Sequence, residues 1–294
     1  MSKVGVEDYF VGIDIGGTRI KAVISCNNKV LKQKIILSGA GLSKDKIILK
    51  IVKLVENLLD FVCVDGLSLK GIGVGVPGLF EKNGRIVNLP HLQNLNGVNL
   101  KKILSDKFGC KVKIVNDAQL CYFYHKEFLR EKNVAYLTLG TSLGCCLVLN
   151  GKLYVGNGLA SQFGNSYFIS RRKSMRLGYV LATDYLVKSC CKKGFEVLDF
   201  KEFKKFVKSG NVNVLSAFEE YGNNLGFALR NIYQILHLDK IYLMGGLTHF
   251  SKYFLDVALK NFESNGEGLG VCSVEVISVD KGVAFGAVGA SRLF

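Results

Sequence analysis

The feature that most constrains this chain is a repeat. The segment IDIGGTRIKAVI at 13–24, with NNKV at 27–30, is matched by LTLGTSLGCCLVL at 137–149, with NGKL at 150–153. Each copy reads as a strand, a Gly-Thr turn, a second strand, an Asn-led tight turn and a third strand. Two copies of one supersecondary unit about 125 residues apart imply two related domains facing each other. At 294 residues the chain is long enough for two modest cores.

The rest of the chain alternates between strand and helix patterns. Ser43–Phe61 has helical spacing that puts Ile47, Ile51, Leu54, Val55 and Leu58 on one face. Gly71–Val76 reads as a strand ending in Pro77-Gly78, Leu100–Phe108 as a helix, and Lys111–Val115 as a strand stopping at Asn116-Asp117. A helix over Ala118–Arg130 follows, with an acidic residue at its cap. In the second half, Val214–Leu236 is a long amphipathic helix and Lys240–Met244 a buried strand before Gly245-Gly246. Phe250–Phe262 then reads as a helix, Val274–Val279 as a strand and Gly282–Arg292 as a helix of small residues. This alternation predicts α/β domains with mixed sheets, whose ligands sit at the carboxyl ends of strands around one cleft. The expected domains are 1–116, completed by the C-terminal helix 281–294, and 117–280.

Composition narrows the classes. Nearly half the residues are apolar and only two are proline, which excludes a disordered tail. Nine cysteines form no Cys-x-x-Cys pair and read as reduced thiols. No apolar run reaches membrane-spanning length, and Met1–Phe10, with Glu7 and Asp8, is unlike a secretory signal. A cytoplasmic protein with no membrane partner is expected. The net charge of +15 suits an anionic ligand such as ATP. With scattered lysines and no aromatic–basic platform, nucleic acid is not the expected partner.

The chemistry lies in the glycine turns. Gly16 and Gly17 let backbone N–H groups approach phosphate oxygens, and Thr18 adds a hydroxyl. Asp14, at a strand end, suits Mg²⁺, and Arg19 or Lys21 would offset γ-phosphate charge. Gly140, Thr141 and Ser142 form the equivalent turn of the second copy, so the two together would clamp a triphosphate. Gly245 and Gly246 offer bare backbone to an adenine or ribose. Asp117 suits the role of a base that deprotonates an attacking alcohol, with Asn116 binding a neighbouring hydroxyl. Local pattern equally allows Asp117 as a plain helix cap.

On these segments, with GVGVPGLFEKNGRIVNLP at 73–90, VNDAQ at 115–119, the run from 137 to 165 and YLMGGL at 242–247, the chain resembles the ROK family of sugar kinases and related repressors. The resemblance implies a two-domain actin-like/hexokinase-type (ribonuclease H-like) α/β fold, ATP as phosphoryl donor, a sugar acceptor and a homodimer. It implies that Asp117 is the catalytic base and that Gly78 and Asn88 lie near the sugar. Lack of a DNA-binding segment before the first strand would disfavour the repressor branch.

The match fails where the family carries Glu-x-Gly-His, because this chain has Gln162-Phe163-Gly164-Asn165. No cysteine or histidine follows in SRRKSMRLGYVLATDYL, so no zinc is expected. Gln162 and Asn165 can still hydrogen-bond sugar hydroxyls, without a carboxylate's charge. Arg171, Arg172 and Arg176 raise the further expectation of an anionic substrate.

Overall fold

In the computed structural model, the described residues are 8–62, 68–156, 160–170, 173–192, 203, 205–207, 212–263, 272–277 and 284–294. Arg171, Arg172 and Cys63 lie outside them, as do the last two residues of the strand expected over 274–279 and the first residues of the helix expected over 282–292. The chain divides into two compact units, Met1–Leu129 with Lys281–Phe294, and Arg130–Asp280.

The first unit holds β1 (Asp8–Ile15), β2 (Arg19–Cys26), β3 (Lys29–Leu37), β4 (Ser68–Val76), β5 (Leu79–Phe80), β6 (Ile86–Asn88) and β7 (Lys111–Asn116). Its main sheet runs β3-β2-β1-β4-β7, while β5 and β6 pair as a separate hairpin. The second unit holds β8 (Val134–Leu139), β9 (Leu143–Leu149), β10 (Lys152–Tyr154), β11 (Tyr167–Ser170), β12 (Lys173–Arg176), β13 (Lys240–Met244) and β14 (Ser273–Val276). Its main sheet runs β10-β9-β8-β13-β14. The two orders are the same. Each begins with three antiparallel strands and continues with two parallel ones. The tight turns between the second and third strands also match, with positive φ at Asn27 and Asn28 in one copy and at Asn150 and Gly151 in the other. Asparagine and glycine are the residues that tolerate that conformation.

Helix Lys44–Val62 buries Ile47, Ile51, Leu54, Val55 and Leu58, the five residues of the apolar stripe. They pack with Ile13, Ile15, Ile20 and Ile72 in one core. Helix Leu100–Phe108 begins where Asn99 Oδ1 accepts the Lys102 N–H at 3.0 Å and stops at Gly109 in the left-handed conformation. In the second unit, helix Val212–Leu236 buries Val214, Ala217, Phe218, Tyr221 and Leu225 against β8, β9 and β13. No helix among the described residues is long and apolar enough to cross a membrane.

Two helices differ from expectation. Over 118–130 the chain forms a 3₁₀ turn at Asp117–Gln119 and then a short helix, Leu120–His125. Here the Tyr124 carbonyl accepts from Arg292 Nη1 at 2.7 Å, so the last turn is satisfied from outside. Over 250–262, the part up to Tyr253 belongs to a 3₁₀ segment, Gly246–Tyr253, and the α-helix runs only from Leu255 to Glu263. The apolar period continues across both, but Phe254 at φ −133° interrupts the helix.

The division between units falls after Leu129, where the sequence suggested 116. Helix Leu120–His125 packs on the C-terminal helix Phe285–Ser291, which belongs to the first unit. That C-terminal helix lies unusually close to β1 and β4. A Cβ on Gly12 would collide with the Ala287 carbonyl, one on Gly73 with the Ala290 carbonyl, and one on Gly289 with that of Leu120. Gly73→Ala should therefore lower the melting temperature by about 5 °C or more, as overpacking of a tight core does. Gly41→Ala, where a Cβ meets nothing within 4 Å, should leave it nearly unchanged. A thermal melt of the two variants beside the parent chain checks this.

Candidate functional site

In the first unit, three parallel strands deliver their carboxyl ends to one place. Asp14 of β1 pairs with Gly75 of β4, and Val76 of β4 with Asn116 of β7. Asp14, Pro77-Gly78 and Asn116-Asp117 therefore line one edge of the sheet. Gly78 lies on the Asn88 backbone, where a Cβ would collide with the Asn88 carbonyl, and Leu79 pairs with Asn88 across the small hairpin. The structure thus brings Gly78, Asn88, Asn116 and Asp117 together within this unit.

The Gly16-Gly17-Thr18 turn closes on itself, Gly16 N–H donating to the Arg19 carbonyl at 2.9 Å and Ser38 N–H to the Thr18 carbonyl at 3.0 Å. The Ser38 hydroxyl donates to the Gly17 carbonyl. A Cβ on Gly17 would come within 2.6 Å of His91 Cβ. Arg19 is exposed. Lys21 lies across the hairpin from Asp14 and pairs with it at 3.5 Å.

The two carboxylates carry the electrostatics. Burial pushes Asp14 above its ordinary range despite the Lys21 ammonium. Asp117 is pushed up to about 7, first by burial and then by the negative charge of Asp14. One Asp117 oxygen accepts the Ala118 N–H at 2.9 Å, which restrains the rise. Asn116 Oδ1 also accepts from Ala118 N–H, at 3.1 Å, so Asn116 is the residue at the cap position. Asp117 is therefore not required to begin the turn.

In the second unit, Leu139 of β8 and Met244 of β13 end side by side, and Gly245, at φ 103°, lies on the backbone of Leu139. The 140–142 and 245–246 turns thus share one end of one sheet. Gly140 is fixed through its carbonyl, which accepts from Thr183 N–H at 2.8 Å and Thr183 Oγ1 at 2.9 Å. Ser142 Oγ donates to the Gly178 carbonyl at 3.1 Å, so its hydroxyl is engaged inward. Thr141 is exposed. The Cα faces of Gly140 and Gly246 are open, with no atom within 4 Å of a would-be Cβ. Asn165 Nδ2 donates to Gln162 Oε1 at 3.1 Å, and both side chains are exposed. Arg176 Nε donates to the Tyr167 hydroxyl at 2.9 Å.

Sequence reasoning missed His91, Ser38, Thr183 and Gly286, where a Cβ would stand 2.6 Å from Asp14 Oδ2. None has a local signal, because each acts through a contact distant in the chain. Among the described residues no three His, Cys, Asp or Glu side chains gather into a metal site.

The duplicated sheets form two mixed α/β units, and the fold is the actin-like, hexokinase-type one that solved ROK hexokinase structures share. The chain belongs to the ROK family, whose model matches residues 10–294. A glucokinase of that family from Streptomyces griseus, solved with glucose and AMPPNP, superposes with a TM-score of 0.80 at 20% identity, covering 97% of this chain and 98% of that one. A xylose repressor from Bacillus spizizenii is 25% identical over 251 residues, 81% of this chain and 64% of the repressor, under two thirds of its length. A kanosamine kinase from Amycolatopsis mediterranei is 23% identical over 247 residues, 81% of this chain and 80% of that protein.

The charge on Asp117 has a consequence for stability. Its folded value, about 7, lies above the 3.8 of an ordinary aspartate, so the native chain holds the proton more tightly than the unfolded one. Stability then falls as pH rises from about 4 to about 7, and Asp14 acts in the same direction. In metal-free buffer, Asp117→Asn should flatten the decline of melting temperature between pH 5 and 8. An unchanged slope would show that Asp117 ionises freely.

Proposed function

We propose that this protein is an ATP-dependent carbohydrate kinase, transferring the γ-phosphoryl group to a sugar hydroxyl. The observation that carries the reading is the placement of Asp117 at the carboxyl end of β7, where desolvation and the Asp14 charge push its carboxyl up to about 7. A group with that affinity takes up an alcohol proton near neutral pH more readily than an ordinary aspartate. Gly78, Asn88 and Asn116 surround the same strand end and suit an acceptor with several hydroxyls. Gln162 and Asn165, on the second unit, would add neutral hydrogen bonds.

Gly16, Gly17 and Thr18 are the proposed phosphate turn of the first unit, with Gly140, Thr141 and Ser142 that of the second. Arg19 and Lys21 supply positive charge there, and Gly245 and Gly246 present bare backbone to the nucleoside. Asp14 suits Mg²⁺ because a half-buried carboxylate gains from a cation, and Mg²⁺ commonly binds one or two carboxylates plus substrate phosphates. Bound there with ATP, Mg²⁺ would supply charge neutralisation at the phosphates. The chain's own part is to hold the acceptor, take its proton at Asp117 and keep the phosphates fixed, since positioning dominates phosphoryl transfer. The cytoplasmic, homodimeric state and the independence from zinc that the sequence suggests go with this reading.

A second reading has support in the xylose repressor relative and in the neutral Gln162–Asn165 pair: a sugar- or nucleotide-binding regulator with weak catalysis. Kinetics separate the two. Asp117→Asn should lower kcat for the best sugar acceptor by about 100-fold or more while ATP affinity stays within a few-fold. Nucleotide bound tightly by the parent chain with no acceptor-stimulated ADP release would favour the regulator. For the nucleotide turn, Gly246→Val should fold normally, because nothing lies within 4 Å of the new Cβ. It should weaken ATP binding about tenfold or more by filling the proposed nucleoside surface, as read by isothermal titration.

A further inference from the structure

The segment that leaves β6 turns back onto the glycine turn of the first unit. Leu92 N–H donates to the Leu89 carbonyl at 3.1 Å, which closes a tight turn with Pro90 and His91 at its centre. Proline suits the first central position because its ring presets φ. The flanking Leu89 and Leu92 are buried in the core of the unit. Asn96 Oδ1 accepts the Leu89 N–H at 2.9 Å, and Asn94 Nδ2 donates to the Leu42 carbonyl at 2.7 Å. The backbone at His91 is therefore held on both sides.

His91 itself is exposed. Its side chain lies on Gly17, so close that a Cβ on the glycine would stand 2.6 Å from His91 Cβ, 2.9 Å from Cγ and 3.3 Å from Cδ2. On the same residue the Ser38 hydroxyl holds the Gly17 carbonyl. A few residues before His91, the Asn88 backbone rests on Gly78. His91 thus joins, within one unit, the turn assigned to phosphate and the hairpin end assigned to the acceptor. Packing alone does not account for an imidazole here, because an apolar side chain would cover Gly17 equally well. Among the described residues no hydrogen bond, ion pair or ring contact engages the ring, so both nitrogens are left to a ligand. The turn also needs a donor, since Gly16 N–H is already given to the Arg19 carbonyl at 2.9 Å.

We propose that His91 is a further catalytic residue, whose imidazole donates a hydrogen bond to the phosphoryl group in transfer. The inference rests on the kinase reading and adds to it a residue that touches the reacting group. As the acceptor oxygen bonds to the γ-phosphorus, the bond from that phosphorus to the bridging oxygen of ADP breaks, and the acceptor proton passes to Asp117. Charge is then spread over the remaining γ-oxygens, and an N–H fixed over the turn stabilises it without reorganising. The imidazole keeps its proton throughout.

Two measurements on the full chain test this. In ¹H–¹³C spectra of the imidazoles, the His91 signal is identified by its loss in His91→Phe or His91→Gln. It should shift saturably with Mg²⁺ and a non-hydrolysable ATP analogue, and several-fold less with Mg·ADP, which has no γ-phosphate. In kinetics with the best acceptor, His91→Phe should lower kcat about tenfold or more while nucleotide affinity stays within a few-fold. His91→Gln, which keeps an amide donor, should recover part of that loss. Melting curves report that both variants, altered at an exposed position, remain folded. Equal shifts with the two nucleotides, an unchanged kcat in His91→Phe, or an equal loss in both variants would overturn the proposal and leave the kinase reading intact. A parent chain that binds no nucleotide, or phosphorylates no acceptor, would overturn the kinase reading and this proposal with it.

Discussion

The first unit depends on how closely the backbone of its last helix can approach the sheet. Gly12 and Gly73 present bare Cα atoms where Ala287 and Ala290 carbonyls lie, and Gly286 lets the start of the helix rest on Asp14. That contact does two things. It fastens residues distant in sequence into one core, and it removes water from the Asp14 carboxyl, which raises its proton affinity. Asp14 in turn raises that of Asp117. The packing of the helix and the chemistry of the site are therefore one arrangement, since solvating Asp14 would relax both carboxyls toward ordinary acids.

Duplication explains the second unit. The same strand order places the 140–142 turn where the first unit places 16–18, and a parallel neighbour, β13, brings Gly245 and Gly246 to the same sheet end. The two copies have diverged in what they offer. The first supplies the half-buried carboxylates Asp14 and Asp117, while the second supplies open glycine surfaces at 140 and 246 fixed by Thr183 and Leu139. This division suits a protein in which one unit handles the acceptor and the other the nucleoside.

Much of this was legible in the sequence because the signals were local. Ile47, Ile51, Leu54, Val55 and Leu58 repeat at helical spacing and are buried together. Asn27-Asn28 and Asn150-Gly151 name the turns they form, since few residues tolerate positive φ. Asp14 and Asp117 stand out as acids at the ends of apolar strands. The failures arose where a distant partner decides. The helix after Asp117 stops at His125, where Arg292 satisfies the Tyr124 carbonyl from far along the chain, and periodicity cannot report that. The 3₁₀ winding of 246–253 keeps the apolar spacing of an α-helix, so the pattern over 250–262 looked continuous. Likewise His91 reaches Gly17 through a contact with no trace in either segment alone.

The proposed role of Asp117 and its surroundings is phosphoryl transfer to a sugar. The most direct measurement is mass spectrometry of the acceptor after incubation of the protein with Mg·ATP and a panel of hexoses, amino sugars and sugar phosphates. The account predicts at least one acceptor whose mass increases by one phosphoryl group, formed in equal amount to ADP. ADP formed with no phosphorylated acceptor, or bound ATP left intact with every acceptor, would contradict it.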